Sequence, residues 1–171
     1  MKTSSILRVL PFLLLAALAV TALADDPPKF ELEGHRLKLP APFVFDGEKL
    51  DVAASERAIE HVTSYLDAKT SISTLRIEVH ADGSGSADEA LALTKKRALA
   101  VARALVAKGV DCKRLVAVGF GGSKPVAPND TPENKSANRR VECWNAALRG
   151  HAIGGMPLDG GGALAGDPCE K

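Results

Sequence analysis

Hydrophobic and polar positions alternate most regularly over Leu75–Asp82. Leu75, Ile77, Val79 and Ala81 fall on one side, and Arg76, Glu78 and His80 on the other. Strand side chains point to opposite faces with a period of two, so this stretch predicts a strand with one buried and one wet face. Upstream, Ile59, Val62 and Leu66 recur at spacings of three and four, with Ala58 and Tyr65 alongside. That stripe predicts a helix from about Val52 to Ala68, with Asp51 or Ser55 as its cap. Downstream, Ala98, Val101 and Leu105 mark the buried side of a second helix, from about Ala87 to Lys108 and stopped by Gly109. Leu115–Phe120 reads as a third long strand, broken by Gly121-Gly122. Phe30–Leu39 alternates as a strand or hairpin interrupted at Gly34, and Phe43–Phe45 as a short apolar strand. Asn138–Trp144 reads as the last strand, with Val141 and Cys143 sharing a face. The polar stretch Ala127–Ala137 predicts a loop, and the Gly-rich segment 147–171 a surface tail with little core to offer.

The order is strand, helix, strand, helix, strand, strand. This βαβαββ pattern predicts an α/β (α+β) fold, a two-layer sandwich with helices on one face of a mixed sheet.

The first residues do not fit that scheme. Lys2 and Arg8 precede an uncharged apolar run, Leu10–Leu23, and Ala22-Leu23-Ala24 offers a small-x-small cleavage site before Asp25. Residues 1–24 are therefore expected to be a signal peptide, and the mature chain an exported, soluble one. No cysteine follows the cleavage site until Cys112, which argues against a lipid anchor there. The whole chain has 22 basic and 21 acidic residues, two of the basic ones in the leader, so what remains is nearly neutral. With aromatics at 4%, neither charge nor stacking surface favours nucleic acid. Cys112, Cys143 and Cys169 allow three pairings, each leaving one thiol over, and their spacing fits no zinc knuckle.

The candidate chemistry centres on Asp82 at a strand end, the turn Gly83-Ser84-Gly85, and Arg97 on the helix that follows. An acid and a guanidinium so placed suit a small zwitterion. Ser84 and Ser86 near His80 and Asp82 lack a nucleophile-elbow pattern, so a hydrolase is not favoured. The Gly-rich turn lacks a P-loop ending and a dinucleotide fingerprint, so no cofactor is implied. His80, Asp82 and His35 make a weak metal set, and no metal is expected.

From Phe43 to Trp144 the chain resembles the OmpA C-terminal-like family of peptidoglycan-binding domains. Phe45-Asp46 through Leu50 stands where the family has its F-D motif. Val79-His80-Ala81-Asp82 stands for G-H-T-D, and Ala90, Leu93, Thr94, Arg97, Ala98, Val101 and Leu105 for the helix motif. Gly109-Val110, Arg114-Leu115, Gly119, Gly121, Pro125, Asn129, Thr131 and Asn138-Arg139-Arg140-Val141-Glu142 follow in order with spacing kept. The resemblance implies that Asp82 and Arg97 hold the diaminopimelate residue of a peptidoglycan stem peptide, without catalysis. Arg139 and Asn138 are further candidates for that site. Ala81 and Ala90 replace the family's threonine and asparagine. Each loss removes a hydrogen bond of about 0.5–1.5 kcal/mol net, so weaker binding or a shifted peptide preference is expected.

The organisation expected is thus a leader (1–24), a lead-in (25–42), the OmpA-like domain (43–146) and the tail (147–171). The resemblance places the protein in the periplasm, at the cell wall or outer membrane, with envelope proteins as further partners. The alternative is an OmpA-like scaffold that has lost wall binding and acts through protein contacts. Cys143 is expected in the core as a free thiol, and Cys112 bridged to Cys169 of the tail.

Overall fold

The computed structural model describes residues 29–153 and 160–170. The expected signal peptide lies outside them. In chain order the elements are β1 (Leu32–Glu33), β2 (Arg36–Leu37), β3 (Phe45–Asp46), β4 (Lys49–Leu50), α1 (Glu56–Ala68) and β5 (Ile72–His80). Then come α2 (Ala87–Ala107), a 3-10 turn (Cys112–Arg114), β6 (Leu115–Gly121), α3 (Pro132–Asn138), β7 (Val141–Leu148), β8 (His151–Ala152) and β9 (Ala163–Leu164). The main sheet runs β1-β2-β7-β5-β6-β9, with β8 folded back on β7. β5 and β6 are parallel, joined by the crossover helix α2 that a parallel pair requires, while β7 pairs antiparallel with both β2 and β5. The result is the expected α/β sandwich on a mixed sheet.

The core lies between the helices and one sheet face. Ile59, Val62 and Leu66 of α1 and Ala98, Val101 and Leu105 of α2 meet Leu75, Ile77, Val79, Leu115, Ala117 and Cys143. The alternation of β5 holds, because its apolar members all reach this core. Its polar members do not behave as expected, however. Glu78 and His80 are only 3% and 2% exposed, so the outer face is not wet there. Arg76, Arg140, Arg36 and Trp144 cover it by bonding to Glu78 and Glu142.

Several boundaries shift for local reasons. α1 starts at Glu56, not Val52. Asp51 Oδ1 accepts from Ala54 N at 3.0 Å, closing a turn. Ser55 is the N-cap residue but its Oγ accepts from Val44 N at 2.8 Å, tying the lead-in to the helix start. Phe45–Asp46 pairs with Lys49–Leu50 in a hairpin outside the main sheet, turning at Gly47 with φ 56°. The expected polar loop contains α3, opened by Thr131, whose Oγ1 accepts from Asn134 N, with Pro132 at the first helical position. Asn138 ends that helix, and the last strand begins only at Val141.

The tail is pinned. β9 pairs with Val118 and Gly119 of β6, and a disulfide joins Cys112 to Cys169. Cys143 is a buried free thiol.

Two glycines let α2 and the turns close up. A Cβ on Gly119 falls 2.5 Å from Lys95 N and 2.8 Å from Thr94 Oγ1, so α2 lies directly on β6 there. A Cβ on Gly122 falls 2.5 Å from Gly83 Cα, so the turn after β6 is pressed against the turn after β5. Buried Thr94 joins the layers: its Oγ1 donates to Ala90 O at 2.9 Å and accepts from Gly121 N at 2.9 Å. These contacts set the height of Arg97 and the position of Asp82.

Candidate functional site

Asp82 stands just past the end of β5, where the chain leaves the sheet. Ala81 N donates to Gly121 O at 2.7 Å, and His80 N to Arg140 O at 2.9 Å, so both neighbouring strands hold this end. The Asp82 side chain is 14% exposed. Its Oδ1 accepts from Ser84 N at 3.0 Å, an Asx-type turn, and its Oδ2 accepts from Arg139 Nη1 at 2.5 Å. The Ser84 amide, helped by Arg139, holds the carboxyl below the usual aspartate range against the opposing effect of desolvation.

Arg97 does not pair with Asp82. Its Nε and Nη2 donate to Gly47 O in the β3–β4 turn, at 2.8 and 2.6 Å. Its guanidinium lies 5.0 Å from the centroid of the Phe45 ring, a cation–π arrangement. Partial burial, and then the charge of Arg139, pull its pKa down, yet an arginine stays protonated. The F-D motif thus has a local role: its phenylalanine and the following turn fix the arginine from below.

Arg97 and Arg139 both line a cavity of about 630 Å³. Val79, His80 and Val141 form one wall, and the segment Leu39–Phe45 an apolar lip. Asp82 joins this site through Arg139, which is 48% exposed at its rim. The arrangement is one carboxylate and two guanidinia beside an open cavity, able to take an ammonium and a carboxylate together.

Asn138 is placed differently. It is fully buried, and its amide is saturated within the chain. Oδ1 accepts from Val126 N at 2.7 Å and Ala127 N at 3.1 Å, while Nδ2 donates to Ala127 O at 2.8 Å and Asn129 Oδ1 at 2.7 Å. Asn129 in turn lies against Gly83, where a Cβ falls 3.5 Å from its Nδ2. Asn138 therefore positions the loop beside Asp82 and presents no free group to a ligand. Ala81 and Ala90 leave their places without side-chain hydrogen bonds, and Ala90 is buried against the β6 turn. The lip from Leu39 to Phe45 was missed by sequence reasoning; Pro40 and Pro42 signalled only an interruption.

Residues 42–139 match the OmpA family, and the chain belongs to that family. Outer membrane porin F of Pseudomonas aeruginosa is 38% identical over 108 residues, covering 63% of this chain and 30% of the porin. The peptidoglycan-binding protein ArfA of Mycobacterium tuberculosis is 35% identical over 124 residues, covering 72% of this chain and 33% of ArfA. The chain thus spans about a third of the length of these relatives. In the crystal structure of the peptidoglycan-associated lipoprotein from Burkholderia pseudomallei, 86% of the chain matches 61% of this one, with TM-score 0.53 and 30% identity. Among the described residues, no helix is long and apolar enough to cross a membrane.

Proposed function

We propose that this protein binds peptidoglycan without catalysis, through the diaminopimelate residue of the stem peptide, in the periplasm at the cell wall or outer membrane. The observation that carries this reading is the Asp82 carboxylate ion-paired with Arg139, which lines one cavity together with Arg97. The free end of diaminopimelate bears an ammonium and a carboxylate on one carbon. The ammonium replaces the Arg139 guanidinium at Asp82 Oδ2, and the carboxylate takes the displaced Arg139 together with Arg97. An ion pair is exchanged rather than broken, so little charge is left uncompensated. The peptide then runs over the lip formed by Leu39–Phe45. The names of ArfA and of the peptidoglycan-associated lipoprotein support the same ligand class. Asp82, Arg97 and Arg139 contact the ligand, and Asn138 keeps the neighbouring loop in place.

Sedimentation with purified peptidoglycan tests this. The wild type should co-sediment, while Asp82→Ala and Arg97→Ala remain in solution. Competition by free diaminopimelate should release the wild type. Should both variants sediment fully, the site lies elsewhere; if the wild type fails to bind, the chain is a scaffold working through protein contacts.

A further inference from the structure

The sheet face turned away from the helices carries a second constellation, which meets the wall of the candidate cavity only at His80. The β5–β7 register sets Glu78 opposite Glu142, and His80 follows two residues along β5 on the same face. One donor atom from each of Glu78, His80 and Glu142 lies within 4.8 Å of the others. His80 Nε2 is 3.5 Å from Glu78 Oε2 and 3.9 Å from Glu142 Oε2, and the three side chains are 1%, 5% and 9% exposed in that order. An independent feature of His80 points to a ligand. Neither of its ring nitrogens has a hydrogen-bond partner among the described residues, the nearest carboxylate oxygen standing 3.5 Å away. Burying an imidazole without replacing its hydration is unfavourable. The plane of the ring is set by its stack on Phe120, with centroids 5.0 Å apart and planes 10° from parallel.

We infer that Glu78, His80 and Glu142 form a binding site for a divalent transition-metal ion of the zinc type. One imidazole nitrogen and two carboxylate oxygens suit such an ion, with water completing the shell. Tetrahedral bonds of about 2.1 Å put donors ~3.4 Å apart. The His80–glutamate spacings of 3.5 and 3.9 Å therefore need a small closure, and the set as a whole, spread over up to 4.8 Å, a larger one. The supports that orient the two carboxylates are in place, while the His80 ring is backed only by its stack on Phe120. Arg76 Nε holds Glu78 Oε1 at 2.6 Å, and Arg140 Nε and Arg36 Nη1 hold Glu142 Oε1 at 2.8 and 2.9 Å. Trp144 Nε1 donates to Glu142 Oε2 at 2.9 Å, leaving that oxygen a second lone pair. The carboxylate oxygens nearest His80 are thus Oε2 of each glutamate. The same guanidinia neutralise the carboxylates, so affinity falls below that of a structural zinc site. The competing occupant is a proton on Nε2, shared loosely between the two glutamates.

Untagged full-length protein, stripped with chelator, should be titrated with Zn²⁺ by calorimetry and with Co²⁺ by visible absorption. Saturable binding is expected, with Co²⁺ bands of a low-coordinate nitrogen–oxygen site. His80→Gln and Glu142→Gln should each weaken it at least about tenfold. A His35→Gln/His151→Gln double variant and Asp82→Ala should leave it unchanged. Because the cluster variants can lose stability, imidazole ¹⁵N resonances are followed in the wild type as well, and the His80 signal should shift with Zn²⁺. No saturable binding by the wild type, or saturation that leaves the His80 signal unmoved, overturns the site in favour of the proton.

Discussion

Arg139 Nη1 sits 2.5 Å from Asp82 Oδ2, so the acid just past the end of β5 is held by the residue that caps the C-terminus of α3 and not by Arg97 of α2. The two residues are 57 positions apart in sequence. Asp82 is consequently already satisfied within the chain, so the proposed binding requires exchange of one cation for another.

Replacing Arg139 by alanine should raise the Asp82 carboxyl pKa only part of the way to its ordinary value. The Ser84 amide, the larger influence, stays in place. A ¹³C titration of the side-chain carboxyl reads this directly. A return to the full model-peptide value in the variant would show that Arg139, and not the amide, dominates.

Gly119→Ala should be among the costliest small substitutions in the chain. Its Cβ meets Lys95 N at 2.5 Å, a backbone atom that cannot swing aside. Overpacking of this kind costs about 1–3 kcal/mol, read from the urea midpoint. The variant should also weaken wall binding, since α2 must lift and carry Arg97 with it. Gly109→Ala, with no atom near its Cβ but φ 100°, should destabilise without moving the site.

Stability should fall on acidification through the sheet's outer face. Burial alone would raise the pKa of Glu142, but the hydrogen bonds from Arg140 and Trp144 and the nearby charges outweigh it and hold the carboxyl low. Glu78 is held low in the same way, against burial, by His80 and Arg76. The unfolded chain therefore binds more protons than the folded one in this range. The stabilisation is present above the ordinary glutamate pKa and lost as pH drops through the depressed folded values. Thermal melts stepped downward from pH 6 should show this, and Glu142→Gln should flatten the slope. An equally steep slope in that variant would place the acid sensitivity elsewhere.

Cys143 should resist alkylation in the native protein. Complete burial comes first, with Glu142 and Glu78 adding to it, and pushes the thiol up to about 12. Iodoacetamide at neutral pH should label it only on unfolding, making it a reporter of global opening. Selective reduction of Cys112–Cys169, which closes a separation of 57 residues, should cost roughly 4 kcal/mol on a chain-entropy account.

The βαβαββ frame was legible because each of its long elements shows one dominant period. α3 was not, because its seven residues carry no apolar stripe to display; the Thr131-Pro132 pair was the available sign. The outer face was misread for a different reason. Alternation reports polarity, and polarity becomes exposure only when charges lack partners. Glu78, His80 and Glu142 are buried together because Arg76 of β5 bonds Glu78 while Arg36 of β2 and Arg140, just before β7, bond Glu142, which no local pattern encodes. At the candidate site, Asp82 and Arg97 were found from motif spacing. The Arg139 bond, the Gly47 support under Arg97 and the interior place of Asn138 depend on where separate segments meet.

The tail has a consequence beyond stability. Without β9, the seven-residue β6 would be the sheet's outermost strand, offering a row of unpaired backbone groups to any neighbouring chain. Ala163–Leu164 occupies the middle of that row, and Cys169 keeps it there through Cys112. Copies of the chain brought close together are thereby kept from zipping edge to edge, and reduction of the disulfide would unlock the strand that protects them.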